Sequence, residues 1–521
     1  MNRVRTAREP MFAWCLAALA PFLSLAVIRP WTPGAFPVWD YADMLPLLRP
    51  THNLWSALVA LVHFTRADGR ANYLTYVQLA ATWRAAGDNP VGWQWQRAAL
   101  MLAVGCLCVL VVRRVGGSAI AAAIAGVLLT IAVPSTEGWL FIMGEPLAVI
   151  LLFAMVLIGA DYPTATHWRG RAVGIAILAA LVMLSKEVVG VCLPAVVIFI
   201  VCWSSEHGFR RPRLGERERW LGVLLLLVLI GEAWSVRSAL AAAAPAAYAT
   251  SFGRSGLHAG TMATLFQAML LPARFSSARA ASDWYPANFA FLALLVIGFL
   301  SSVRRAASRR DLWCWAIGLV SFPVIGAFIY AWWPRYSAFY GIPFLAGSVG
   351  LMAAAATEIQ RHNRAGKWLV AVLGLVTVTY TAAVSRRTVE DKRAIANLAA
   401  AIVRSFPRQP RLDTLFMVVP RQSGRRWPVT SDELRRYAIA LQVPDSAVPV
   451  MRDATCEEIT SRLALPLGDN AVLNDRNPCG PLPIVTVNWE AVAPYPDPWS
   501  WRRREDTLGI QLLAPKWGRP H

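Results

Sequence analysis

Asp40 and Asp43 stand three residues apart in the segment Phe36-Pro37-Val38-Trp39-Asp40-Tyr41-Ala42-Asp43, just beyond the first apolar run of the chain. A carboxylate at the mouth of a membrane span can take a proton from an incoming nucleophile, which is the position of a general base. In a helix, a spacing of three keeps both carboxylates on one face, so either one serves. The competing use of such residues is as solvated loop acids or helix caps.

Lys186 and Glu187 carry the second chemical signal. They separate two apolar runs of about fifteen residues each, short against the ~20 of an ordinary span, so the turn between them is expected to lie recessed below the membrane surface. A cation in such a recess suits a lipid-linked phosphate. A structural pairing of Lys186 with Glu187 or with an aspartate accounts for the same spacing. Arg335, followed by Tyr336, either grips a phosphate bidentately or snorkels to the headgroups. Arg70, Glu137 and Glu145 complete the set of charges that one topology puts on a single side, where they are candidates for lining one cleft.

The elements that must position these residues are membrane helices. The chain has 521 residues, is 56% hydrophobic and only 16% charged, and its mean hydropathy is +0.44. Such a chain lacks the charge of a water-facing surface, so lipid is its main solvent. The formal net charge of +20 falls in short clusters between apolar runs, the signature of membrane orientation and not of a nucleic-acid stripe.

The opening Met1-Asn-Arg-Val-Arg and the apolar run from Met11 to Val27 resemble a signal sequence. Bulky Ile28, Pro30 and Trp31 follow where a cleavage site would need small residues, so an uncleaved first helix is expected. Further apolar runs occur near 98–112, 118–134, 145–160, 172–185, 187–203, 219–240, 288–303, 312–332, 337–356 and 367–384.

Arg113 and Arg114, His167 to Arg171, Arg210 to Arg219, Arg304 to Arg310 and Arg361 to Lys367 all fall inside if the N-terminus is inside. An even number of spans must then divide 172–203, which makes it two short helices. The expectation is a polytopic α-helical protein of the inner membrane with about eleven spans and a non-cytoplasmic, periplasmic C-terminus. Arg386 and Arg387, directly after the last run, argue the other way.

This gives a transmembrane domain over 1–385, with outer loops at 31–97 and 241–286, and a soluble C-terminal domain over 386–521. The tail is expected to be mixed α/β, with helices near 388–404 and 431–442 and strands at 415–419 and 484–487. Cys456 and Cys479, its two cysteines, are a candidate disulfide. Amphipathic parts of the first loop are expected to lie along the membrane, as is the apolar run Thr261 to Leu271.

No HExxH, Walker, paired CxxC or dinucleotide motif occurs, so an enzyme here would use an already activated donor. No bound cofactor is expected, although a divalent metal at Asp40 and Asp43 is compatible with the acids.

Over roughly residues 12–385, the chain resembles the GT-C superfamily of polytopic glycosyltransferases, which includes protein O-mannosyltransferases and the aminoarabinose transferases of lipid A. The likeness rests on motif order: Trp39-Asp40-Tyr41-Ala42-Asp43, then Gly87-Asp88-Asn89-Pro90 before a span ending Arg113-Arg114-Val115-Gly116-Gly117, Gly144-Glu145-Pro146 opening a span, Ser185-Lys186-Glu187 at an outer turn, and Pro334-Arg335-Tyr336.

The resemblance implies inverting transfer of a sugar from a polyprenyl-phosphate donor to a lipid, glycan or protein acceptor. It implies Asp40 or Asp43 as base, with Asp40 favoured as the first acid after the aromatic residue, and Lys186, Arg335 and Tyr336 at the donor phosphate. The acids are adjacent in the commonest family pattern and two residues intervene here.

Two other classes compete. A transporter or flippase of lipid-linked saccharides would place ionisable groups near the midplane, and Glu232 and Arg237 in the outer half of one run fit that partly. A polymerase or ligase would use a late-loop histidine, for which His258 beside Arg254 is the candidate. An assembly subunit with no catalysis would tolerate neutralisation of both aspartates.

Overall fold

The computed structural model describes residues 11–31, 39–67, 70–140, 144–204, 208–209, 215–242, 259–273, 286–305, 320–331, 341–361, 364–405, 414–418, 431–448, 450–454, 470–474 and 485–486. In chain order, the helices are α1 (Met11–Leu19), α2 (Leu23–Ile28), α3 (Trp39–Leu48), α4 (Leu54–Ala67), α5 (Tyr73–Ala86), α6 (Pro90–Arg114), α7 (Ala119–Ile131), α8 (Val133–Leu140) and α9 (Glu145–Gly159). They continue with α10 (Trp168–Ser185), α11 (Leu193–Cys202), α12 (Glu216–Ala242), α13 (Ala259–Leu270), α14 (Pro286–Arg305), α15 (Ile325–Ala331), α16 (Ile342–Gln360), α17 (Arg364–Ser405) and α18 (Ser431–Ala440). The strands are β1 (Trp203–Ser204), β2 (Gly208–Phe209), β3 (Thr414–Val418), β4 (Val450–Ala454), β5 (Asn470–Asn474) and β6 (Val485–Thr486).

The chain is a multi-pass membrane protein. Seven described helices are long and apolar enough to cross a bilayer, and shorter apolar helices cover Ala13–Ile28, Leu54–Phe64, Ala119–Ile131 and Val188–Cys202. Leu226, Leu227, Leu229, Ile230 and Trp234 of α12 stand exposed, a band that only lipid can cover at low cost. The helix 320–331 opens on a π-turn at Val320–Val324 that contains Pro323, a distortion that a missing N–H invites.

The chain separates into two compact units, one of residues 1–32 and 52–389, the other of residues 33–51 and 390–521. In the first, small residues let spans approach closely. Gly298 on α14 meets Ala355 on α16 so tightly that an added Cβ would lie 2.3 Å from the alanine methyl, the contact expected where lipid leaves packing to hold helices together. Among the described residues, the two largest apolar clusters are built on α6, α7, α14 and α16 and on α9, α10 and α11.

The basic flanks that charge asymmetry put on one side do meet at one end of this bundle. Arg114 pairs with Asp161 at 2.9 Å and Arg169 with Glu216 at 3.2 Å. The Tyr162 hydroxyl donates to the Arg217 carbonyl at 2.9 Å, the Ser118 amide donates to Thr357 Oγ1 at 3.2 Å, and Arg171 donates to the Ala160 carbonyl.

The run Thr261–Leu271 falls on α13, whose Leu265 and Met269 are buried in the second cluster, and Ser348 of α16 donates to the Met269 carbonyl at 3.1 Å. Its apolar residues cover enough of the helix to be worth burying. The last span and the helix expected near 388–404 are one element, α17, of 42 residues. Arg386 and Arg387 are good helix formers and do not interrupt it.

The second unit contains a parallel sheet in the order β4-β3-β5-β6, with Leu415 opposite Met451 and Ala471. Parallel neighbours need a crossover, and α18, which follows β3 in sequence and precedes β4, supplies one.

Candidate functional site

Among the candidate residues, the structure brings together Glu145 and Lys186. Glu145 opens α9, where the amide-rich positive end of the helix dipole favours a carboxylate and Pro146 suits the first turn. Lys186 is the residue on which α10 stops: its backbone is extended, at φ −160° and ψ 105°, and a cation suits the carbonyl-rich end of that helix. Because α9 and α10 run antiparallel, the two favourable ends are neighbours. Lys186 Nζ lies 3.1 Å from Glu145 Oε1, with side chains 11% and 1% exposed.

The turn at Lys186 is a break between α10, which at 18 residues is long enough to cross a bilayer, and the shorter apolar segment Val188–Cys202. After it, Glu187–Cys192 forms a tight 3-10 turn before α11, and the Val189 amide donates back to the Lys186 carbonyl at 3.0 Å. Among the described residues, a carboxylate partner of Lys186 is Glu145, which the sequence had placed only on the same side.

Two residues that carried no assignment in the sequence hold this pair. Thr75 of α5 is buried, and its hydroxyl donates to the Ser185 carbonyl at 2.6 Å. Gly144, the residue before α9, sits against both: a Cβ there would lie 2.4 Å from Thr75 Oγ1 and 2.5 Å from the Ser185 carbonyl oxygen. Gly144 stands in a motif already noted, but its contact partners are remote in sequence and nothing local signals them. Arg97 on α6 is a further buried cation, 2% exposed, whose Nε donates to the Trp93 carbonyl at 3.2 Å.

The other candidates are distributed differently. Arg70 is half-buried just before α5. Glu137 lies in α8 and Glu187 at the start of its 3-10 turn, as backbone positions whose side chains lie outside the described residues. Asp40 and Asp43 are likewise backbone positions, in α3 of the second unit, so the helix that makes a three-residue spacing meaningful is present. Arg335, Tyr336, Cys456, Cys479, Arg254 and His258 lie outside the described residues. Glu232 of α12 is buried at 7% exposure, whereas Arg237 is exposed.

Among the described residues no three His, Cys, Asp or Glu side chains cluster as metal ligands. What the pair can do is present a desolvated positive charge, held in one place by a carboxylate, at the ends of two helices.

No protein-family model matches the chain, and no curated protein matches it. Among solved structures it is similar to the crystal structure of ArnT from Cupriavidus metallidurans in the apo state, at 14% identity and TM-score 0.41 over 88% of this chain and 89% of that one. It is also similar to ArnT of the same organism bound to undecaprenyl phosphate, at 16% identity and TM-score 0.38 over 87% and 90%.

Proposed function

We propose that the chain is a polyprenyl-phosphate-dependent membrane glycosyltransferase that moves a sugar from a lipid-phosphate donor to an acceptor at the outer, periplasmic face of the inner membrane. The observation that carries this reading is the buried Lys186–Glu145 pair at 3.1 Å. A cation withdrawn from water at a helix end is costly to maintain, and the order of motifs around it resembles that of GT-C enzymes.

In this reading Lys186 binds an oxygen of the donor phosphate and stabilises the negative charge that grows as the sugar–phosphate bond breaks. An ammonium has three N–H donors, so a carboxylate contact and a phosphate contact are compatible. Arg335 and Tyr336 assist at the phosphate. Asp40 or Asp43 takes the proton of the acceptor nucleophile, which attacks with inversion at the anomeric carbon. The bond being broken is already activated, so base, phosphate stabilisation and exclusion of water suffice.

The test is mass spectrometry of envelope glycans and glycolipids from a strain lacking the chain, complemented with wild type, Lys186→Met, Asp40→Asn or Asp43→Asn at equal membrane levels. A sugar that returns with wild type and not with Lys186→Met supports the reading. Full return with Lys186→Met, or with both aspartate variants, sinks the corresponding assignment.

Glu232, buried within a span, favours a second reading, passage of a lipid-linked saccharide through the membrane. Loss of function in Glu232→Gln together with full function in both aspartate variants would select it.

A further inference from the structure

The acid-bearing helix α3 belongs to the first loop in sequence, yet its contacts are with the C-terminal unit. Residues 33–51 cluster with residues 390–521. Met44, Leu45 and Leu48 of α3 are buried, at 4%, 1% and 0% exposure, as are Leu434 and Tyr437 of α18, at 0% and 6%, and the two helices pack on one another.

Arg49, immediately after α3, closes this contact. Its Nη1 donates to the Ile439 carbonyl at 2.9 Å and its Nη2 to the Ala440 carbonyl at 3.0 Å. These are the last two residues of α18, whose carbonyls lie at the negative end of its dipole.

The end of α18 is itself built for the contact. The Val443 amide donates to the Ala438 carbonyl at 3.0 Å and the Gln442 amide to Ile439 at 3.3 Å, with Gln442 left-handed at φ 56°. This is the pattern that stops a helix sharply. A planar guanidinium spanning two adjacent carbonyls fixes direction as well as distance, which an ammonium cannot do.

We infer that the C-terminal domain is the holder of the acid-bearing helix, with Arg49 the positioning residue that clamps α3, and hence Asp40 and Asp43, to the end of α18. This rests on the reading of Asp40 or Asp43 as base. The C-terminal unit thereby orients a loop segment some 390 residues away in sequence.

The experiment uses the full-length protein in lipid nanodiscs, as wild type, Arg49→Ala and Arg49→Lys. Hydrogen exchange is read over 39–48, 431–440 and 182–193, together with binding of undecaprenyl phosphate and sugar return in the complemented strain. Arg49→Ala is expected to speed exchange in 39–48 about tenfold while 182–193 and lipid binding stay as in wild type. Sugar transfer should fall roughly ten- to hundredfold, and Arg49→Lys should recover part of both losses.

Unchanged exchange over 39–48 in Arg49→Ala overturns the clamp. Faster exchange with undiminished transfer, while Asp40→Asn or Asp43→Asn abolishes it, overturns the positioning role. If both aspartate variants transfer fully, the reading of the base has failed, and the exchange result alone decides the clamp.

Discussion

The two ends of the membrane bundle solve the same electrostatic problem in opposite ways. At the basic end, Arg169 and Glu216 pair with side chains 74% and 66% exposed, and Arg114 and Asp161 with 46% and 17%. At the other end, Lys186 and Glu145 are 11% and 1% exposed. Exposed pairs form where water already solvates both partners, so they record orientation and add about 0–1 kcal/mol. A buried pair has lost that hydration, and replacing it with apolar side chains is often neutral or stabilising. A buried pair therefore adds little stability for its cost, and this contrast with the exposed end is what the proposed donor-phosphate site rests on.

The largest expected effect comes from halving the buried pair. Lys186→Met leaves Glu145 buried without its cation and should cost about 3–5 kcal/mol of stability, with loss of sugar transfer, read by unfolding midpoint and by complementation. Lys186→Met with Glu145→Leu should regain the stability and none of the transfer. Next is Gly144→Ala, whose methyl would meet the Ser185 carbonyl at 2.5 Å. Backbone there cannot step aside cheaply, so about 1–3 kcal/mol and much of the transfer should be lost.

Thr75→Val removes the 2.6 Å bond to the Ser185 carbonyl and should cost about 1 kcal/mol, with weaker binding of undecaprenyl phosphate as its check. The smallest effect is at the basic end, where Arg169→Ala should move the unfolding midpoint by less than about 1 kcal/mol equivalent and leave transfer intact. A large effect there would erase the distinction between the ends.

Much of this was readable from residues alone. Clusters such as Arg113-Arg114 and His167 to Arg171 showed which flanks share an end, and the even number of spans they require across 172–203 put a break at Lys186. Glu145 as partner was not readable, because the pairing depends on α9 and α10 lying antiparallel, and Glu187 was nearer in sequence. Thr75 and Arg49 were invisible for the same reason: each acts on a carbonyl remote in sequence, Ser185 for one, Ile439 and Ala440 for the other. In the tail, β3 and α18 were legible from apolar pattern and capping, whereas β4 and β5 were not. Arg452 and Asp453, and Asn470 and Asn474, blur their alternation.

The most direct test of the central claim is the affinity of the intact protein for undecaprenyl phosphate in wild type and in the Lys186→Met, Glu145→Leu double variant. If the pair is the donor-phosphate site, the double variant folds as well as wild type and binds the lipid at least about tenfold more weakly. Equal affinity in a well-folded double variant would contradict it.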